Sequence, residues 1–207
     1  MTKRVSLPIQ GRPEPIAERA DAARNRVRIL NATRKLLAKR PIEAIGMDDV
    51  ARAAGVGKGT VFRRFVDRST LCLALLDENE RELQENVLAD FGLPKEATAY
   101  ERLTVFLDAL FAFHADNAHL LGEAESYSRT DRFKAPVYAW RVRELVRRIR
   151  RAADAGSIQP ANIGITAELI LAGLGAQLLL RQMEVAGGRD ALHELVFGVW
   201  KRLLNCQ

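Results

Sequence analysis

The sequence predicts an all-α protein in two parts: an N-terminal three-helix unit built around a helix-turn-helix, and a larger C-terminal helical body. Three observations carry that prediction. The stretch from Met47 to Phe65, MDDVARAAGVGKGTVFRRF, keeps helical spacing on both sides of a glycine turn. Apolar residues elsewhere recur at three- and four-residue intervals, with no strand-like alternation of any length and no internal repeat. Charge is also split along the chain. Residues 1–75 carry sixteen Lys and Arg against seven Asp and Glu, while the other 132 residues carry sixteen against nineteen. A net +9 on one end and −3 on the rest suits a chain whose N-terminal part neutralises phosphates. At 207 residues the chain can bury a full core.

The elements follow in order. Residues 1–16 hold Pro8, Pro13, Pro15 and Gly11 among scattered charges, and read as a flexible arm. A first helix is expected from about Glu18 to Lys39, burying Ile29, Leu30, Thr33, Leu36 and Leu37, with Pro41 ending it. Arg24, Arg26 and Arg28 precede that face and can approach phosphates. In the second helix Met47, Val50, Ala51 and Ala54 form one apolar face, and Gly55 supplies the left-handed residue that ends it. The third helix resumes at Lys58. It offers Val61, Phe62 and Phe65 to a core and turns Lys58, Thr60, Arg63 and Arg64 outward, the layout of a helix that enters a DNA major groove. Asp67 then caps a long fourth helix, to about Asp90.

These residues resemble the TetR-type transcriptional regulators. The resemblance rests on Val50-Ala51, Ala54-Gly55-Val56, Gly59-Thr60-Val61-Phe62, Phe65, Arg68 and Leu71, which match the family pattern at fixed spacing, within a signature spanning about Ala22 to Leu75. The GVGKGTVFRRF core is most similar to an actinobacterial-type subset with GVGxGTLYRRF. Four positions depart from the family. Gly46 and Gly57 stand where Thr or Ser opens the second and third helices, so neither cap has a side-chain oxygen; Asp48 and Asp49 partly compensate through the helix dipole. Phe62 replaces a Tyr whose hydroxyl reaches a phosphate, which leaves it a packing role. Arg63 replaces a His and brings a permanent charge.

The resemblance implies a domain division of 1–16 arm, 17–75 helix-turn-helix DNA-binding domain and 76–207 effector-binding and dimerisation domain. The DNA-facing set expected is Lys58, Thr60, Phe62, Arg63, Arg64, Arg68 and, from the first helix, Arg26. The partners implied are a palindromic double-stranded operator, a second copy of the chain and an effector, either a small molecule or a protein. The function implied is repression relieved by that effector. The alternative from another class is a helical protein-binding adaptor that has lost DNA binding.

In the body, a fifth helix over about Thr98 to Asp116 is apolar on more than one face, as a central helix is. A short helix follows to about Ser128, then one from about Phe133 to Ala155. Two more helices are expected at Ala161 to Glu184 and Asp190 to Leu204, split by Gly187-Gly188. An effector cavity is expected among Phe106, Leu110, Phe113, His114, Tyr127, Tyr138, Trp140, Leu174 and Gln177. A dimer seam is expected through Leu171, Gly175, Leu178, Leu192, Leu195, Val196 and Val199, with small residues allowing close helix approach. The arginines between Arg141 and Arg151 read either as a solvated face paired with Glu144 and Asp154 or as a docking face for an acidic partner.

Other chemistry is absent from the pattern. There is no CxxC pair, Walker-type glycine loop or GxSxG elbow, so no catalytic residue and no cofactor is expected. His114, His119 and Glu123 are spaced five and four apart, which puts the two histidines off one face and argues against a metal site. The N-terminus lacks an apolar run, the longest apolar stretch is short of a bilayer span, and two distant cysteines fit a reducing compartment. A cytoplasmic protein with no membrane partner is the expectation.

Overall fold

The computed structural model describes residues 16–127 and 135–205, with side chains over 21–125 and 135–205. Residues 1–15 of the expected N-terminal arm lie outside that range, and Ile16 opens the first helix. Ten α-helices are described: α1 Ile16–Leu37, α2 Met47–Ala54, α3 Lys58–Arg64, α4 Arg68–Leu88, α5 Ala99–Asp116, α6 Ala118–Tyr127, α7 Pro136–Asp154, α8 Ile163–Ala172, α9 Ala176–Ala186 and α10 Arg189–Leu204. The fold is all-α, an N-terminal helix-turn-helix unit followed by a helical body.

Local chemistry sets the helix ends. Gly55 closes α2 at φ 63°, with the Val56 N–H returning to the Ala51 carbonyl at 3.1 Å. Asp67 caps α4 by accepting the Thr70 N–H at 2.7 Å. Thr98 and Glu101 form a reciprocal capping box at the start of α5. Pro136 opens α7, where its missing N–H costs nothing.

Two apolar cores result. The first gathers Ile29, Leu30, Ile45, Val50, Val61, Phe65 and Leu71, and it also takes in Leu120 and Ala124 of α6. The second surrounds α5, whose Leu103, Phe106, Leu110 and Phe111 are fully enclosed by α4, α7, α8, α9 and α10. α6 therefore belongs by packing to the helix-turn-helix unit as well as to the body.

Two expectations change here. The segment expected as one helix over 161–184 is two, α8 and α9, bent by 69°. The break lies at Gly173-Leu174-Gly175. Gly175 is extended at ψ 135° and caps α9, while Leu174 is 1% exposed and turns into the core. Burying that leucine together with both flanking helices outweighs continuing a helix through two glycines. The arginines of α7 also divide. Arg141 and Arg148 are buried and ion-paired, to Glu80 and to Glu144 with Asp90, whereas Arg143, Arg147, Arg150 and Arg151 are exposed. No single described helix is long and apolar enough to cross a membrane.

Candidate nucleic-acid interface

α3 is held by one face and presents the other. Val61 is fully buried and Phe65, its C-cap, is nearly so. Lys58, Gly59, Phe62, Arg63 and Arg64 are exposed, and Thr60 is half-buried. The helix opens on Gly57 in extended conformation with no side-chain cap, so its first-turn N–H groups have no hydroxyl partner. Such donors suit an anion.

Lys58 reaches back across the turn, its Nζ lying 2.8 Å from the Asp48 carboxylate, with both groups well exposed. An exposed pair of this kind is weak and exchanges readily for a phosphate. Phe62 corrects the sequence reading. It is 40% exposed, and the Lys58 ammonium lies 5.8 Å from its ring centroid. Helical spacing alone offers both Val61 and Phe65 to the core, and their places leave Phe62 on the outer shoulder of α3.

The other two expected contacts separate. Arg26 is half-buried, its guanidinium 5.7 Å from the centre of the Phe65 ring, so it braces the end of α3. Arg28 donates to the Gly55 carbonyl at 3.2 Å and ties α1 to the turn. Arg68 does not join the outward set at all. Its Nε and Nη2 donate to the two carboxylate oxygens of Glu123 on α6, at 2.7 and 3.0 Å, and its Nη1 donates to the Glu43 carbonyl at 3.1 Å. Arg68 leads α4 away from α3, which turns it toward the body.

Beside it, His119 Nδ1 lies 3.1 Å from Glu43 Oε1. The Glu43 carboxyl is held below its ordinary pKa: burial opposes this, and its own backbone hydrogen bond with the His119 and Arg68 contacts outweighs it. The i, i+4 pair of His119 and Glu123 thus clasps the helix-turn-helix unit. The spacing was visible in the sequence, but its partners were not.

The described residues expected around an effector sit in different surroundings. Phe106, Leu110 and Leu174 are fully buried core, Tyr138 and Trp140 are half-buried, and Gln177 is exposed. His114 is buried edge-on to Phe113. The Tyr127 side chain lies outside the described residues. Phe113 alone among them lines a space of about 390 Å³, formed with Leu73, Leu76, Glu80, Leu121 and Arg141 between α4, α6 and α7.

The seam residues divide too. Leu171 and Gly175 are enclosed within the chain itself, and Leu192 is nearly so. Leu178, Leu195 and Val199 are exposed and Val196 half-buried, on a groove of about 490 Å³ between α9 and α10. Ile165, Leu169 and Val185 extend this exposed apolar surface along α8 and α9. Among the described residues, no group of His, Cys, Asp and Glu could hold a metal ion.

A short helix bearing outward cations, seated across a glycine turn on a second helix, defines the helix-turn-helix class. Residues 29–75 match the family model of the bacterial regulatory proteins of the tetR family, and they take in α2, α3, the end of α1 and the start of α4. The chain is 35% identical over 117 residues to an HTH-type transcriptional regulator of Staphylococcus aureus (strain bovine RF122 / ET3-1). That match takes in 56% of this chain and 61% of the relative, less than two thirds of its length. Among solved structures, a transcriptional regulator of the TetR/AcrR family from Thermobifida fusca superposes with a TM-score of 0.62 at 17% identity, over 87% of this chain and 96% of that one. AibR, solved in complex with isovaleryl coenzyme A and operator DNA, superposes with a TM-score of 0.58 at 19% identity, over 88% and 100%. At these identities the likeness is one of fold.

Proposed function

We propose that the protein is a sequence-specific DNA-binding transcriptional regulator, a homodimeric repressor released when an effector loads its body. The observation that carries this reading is the outer face of α3. Lys58, Phe62, Arg63 and Arg64 stand exposed around the buried anchor Val61, on the most basic third of the chain. Arg63 and Arg64 meet base edges or phosphates, and Thr60 and Lys58 meet phosphates once Lys58 leaves Asp48. The recognition helix groups with the subset carrying GVGxGTLYRRF.

A domain division at about residue 75 is supported by the two cores, between which α4 passes, with Leu120 and Ala124 of α6 reaching back to the first. The second copy docks on the apolar surface of Leu178, Leu195 and Val199, setting two α3 helices against two half-sites. The effector enters the space between α4, α6 and α7, within the range of volumes that holds small ligands. A ligand there presses on α6, and Glu123 passes the displacement to Arg68 at the head of α4. This shifts the population away from the DNA-competent spacing. An adaptor without DNA binding has no need of three exposed cations on α3.

The test is a gel shift of the purified chain against the DNA beside its own gene, with unrelated duplex as competitor. Retardation that survives the competitor supports the reading. No retardation at low salt, with the dimer intact, removes it in favour of the adaptor.

A further inference from the structure

We propose that the cavity at the junction of α4 and α5 is an oxyanion site, in which a phosphoryl group takes the place that the Asp90 carboxylate now holds. The cavity has a volume of about 330 Å³ and is lined by Asp90, Ala99, Arg102, Arg148 and Arg151. It lies apart from α3, from the apolar surface of α8 to α10, and from the space between α4, α6 and α7.

The charge balance is uneven. Arg102, Arg148 and Arg151 line it against one carboxylate, Asp90, while Glu144 pairs with Arg148 from outside the lining. Arg148 is the centre of the group. It is 3% exposed, its Nε donates to Glu144 at 2.8 Å, and its Nη1 is shared between Asp90 at 3.2 Å and the Arg102 carbonyl at 3.0 Å. Its Nη2 has no hydrogen-bond partner among the described residues. Its guanidinium lies over the Phe91 and Phe106 rings, 5.8 and 5.0 Å from their centroids, which fixes the plane from which it donates. Arg151 sits at the rim, exposed and with no ion pair among the described residues.

The fourth wall is the first turn of α5, an 18-residue helix whose Ala99 lines the cavity. The Glu101 carboxylate is engaged with Thr98 and does not line the space. The Thr98–Glu101 capping box already serves that terminus, so the guanidiniums supply the attraction for an anion.

Asp90 holds this place at a conformational cost. It has φ 50° and Phe91 has φ 55°, two consecutive non-glycine residues in the left-handed region, followed by Gly92 at φ 69°. Left-handed backbone is unfavourable for each residue bearing a Cβ. The turn persists because Asp90 pairs with both Arg102 and Arg148 while Phe91 packs on Phe106. A tethered planar carboxylate satisfies two guanidiniums. A tetrahedral phosphate with more acceptor oxygens can satisfy Arg102, Arg148 and Arg151 together, and it releases the Asp90 backbone from that constraint.

The test is isothermal titration of the full chain with inorganic phosphate at constant ionic strength, chloride making the balance. No DNA is present, so the result is independent of the DNA-binding reading. Saturable binding is expected, with acetate at least tenfold weaker. Arg151→Gln, a surface change that leaves the core intact, is expected to weaken phosphate by about tenfold, the loss of one charge-assisted pair. Asp90→Asn keeps a residue suited to the left-handed region and removes the competing charge, so phosphate is expected to bind tighter. If Asp90 serves only to hold Arg148, the same variant weakens binding instead, which overturns the proposal. So does the absence of saturable binding in both wild type and Asp90→Asn, an unchanged affinity in Arg151→Gln, or acetate binding as well as phosphate.

Discussion

The Arg68 guanidinium grips the Glu123 carboxylate with two parallel hydrogen bonds, 2.7 and 3.0 Å, from the first residue of α4 to the middle of α6. Glu123 is only 8% exposed at its side chain and Arg68 31%. Bidentate geometry makes this the strong form of an ion pair. It also joins the two parts of the molecule at the point where the helix-turn-helix unit ends.

Arg68→Ala should therefore act on stability and not on DNA electrostatics. Removing one partner leaves a buried carboxylate short of its main counter-charge, and the partial exposure of Arg68 brings the loss below the ~3–5 kcal/mol of a fully buried pair, to about 2 kcal/mol. Urea denaturation measures that loss. The slope of DNA affinity against salt should stay that of the wild type. A reduced slope with unchanged stability would return Arg68 to the DNA-facing set.

Gly57 and Gly55 sit two residues apart and should respond oppositely to substitution. Gly57 has φ −64°, and a Cβ there would come no closer than 3.9 Å to Thr60 Oγ1. Gly57→Ser adds the missing cap and should raise stability by about 0.3–0.5 kcal/mol. Gly55 has φ 63°, and its Cβ would lie 3.2 Å from Arg28 Nη2. Gly55→Ala should cost about 1–2 kcal/mol. Thermal melts of the two variants check the pair of signs.

The exposed leucine and valine of α10 should be needed for self-association. Leu195 is 63% exposed and Val199 52%, on a face continuous with Leu178 and Val185. Leu195→Asp and Val199→Asp should each shift sedimentation from dimer toward monomer with little loss of helix, because neither side chain belongs to the protomer's own core. A dimer intact in both variants would move the interface to another face.

Cys72 should be inert. It is fully buried on α4, and burial, with a smaller push from Glu123, raises its thiol pKa to about 12. The nucleophilic thiolate is then scarce at any ordinary pH. A thiol-reactive disulfide reagent should modify Cys72 only as fast as the chain unfolds. Rapid modification under native conditions would show that α4 opens locally.

Much of the N-terminal unit is legible in the sequence, because its determinants are local. Gly55 marks the turn through its own φ, Asp67 marks the start of α4 through its own side chain, and Val50, Ala51 and Ala54 mark a face by spacing. What depends on distant partners is less legible. Phe62 and Phe65 are alike in type and near in position, and only the placement of α1 and α4 decides which is enclosed. Arg68 belongs to a basic run until α6 brings Glu123 to it from 55 residues away. The α8–α9 bend depends on how Leu174 fits the core around α5, and the position of a cavity depends on gaps between helices, which no single helix records.

Duplex binding measured by fluorescence anisotropy across a salt titration, for wild type, Lys58→Ala and Arg63→Ala, tests the central claim that α3 reads DNA. The expected result is tight binding whose logarithm falls linearly and steeply with the logarithm of salt. Each substitution should cost about 1–3 kcal/mol, and any that removes a phosphate contact should lower the slope by about one. A flat salt response, or wild-type affinity in both variants, would contradict the assignment of α3 as the recognition helix.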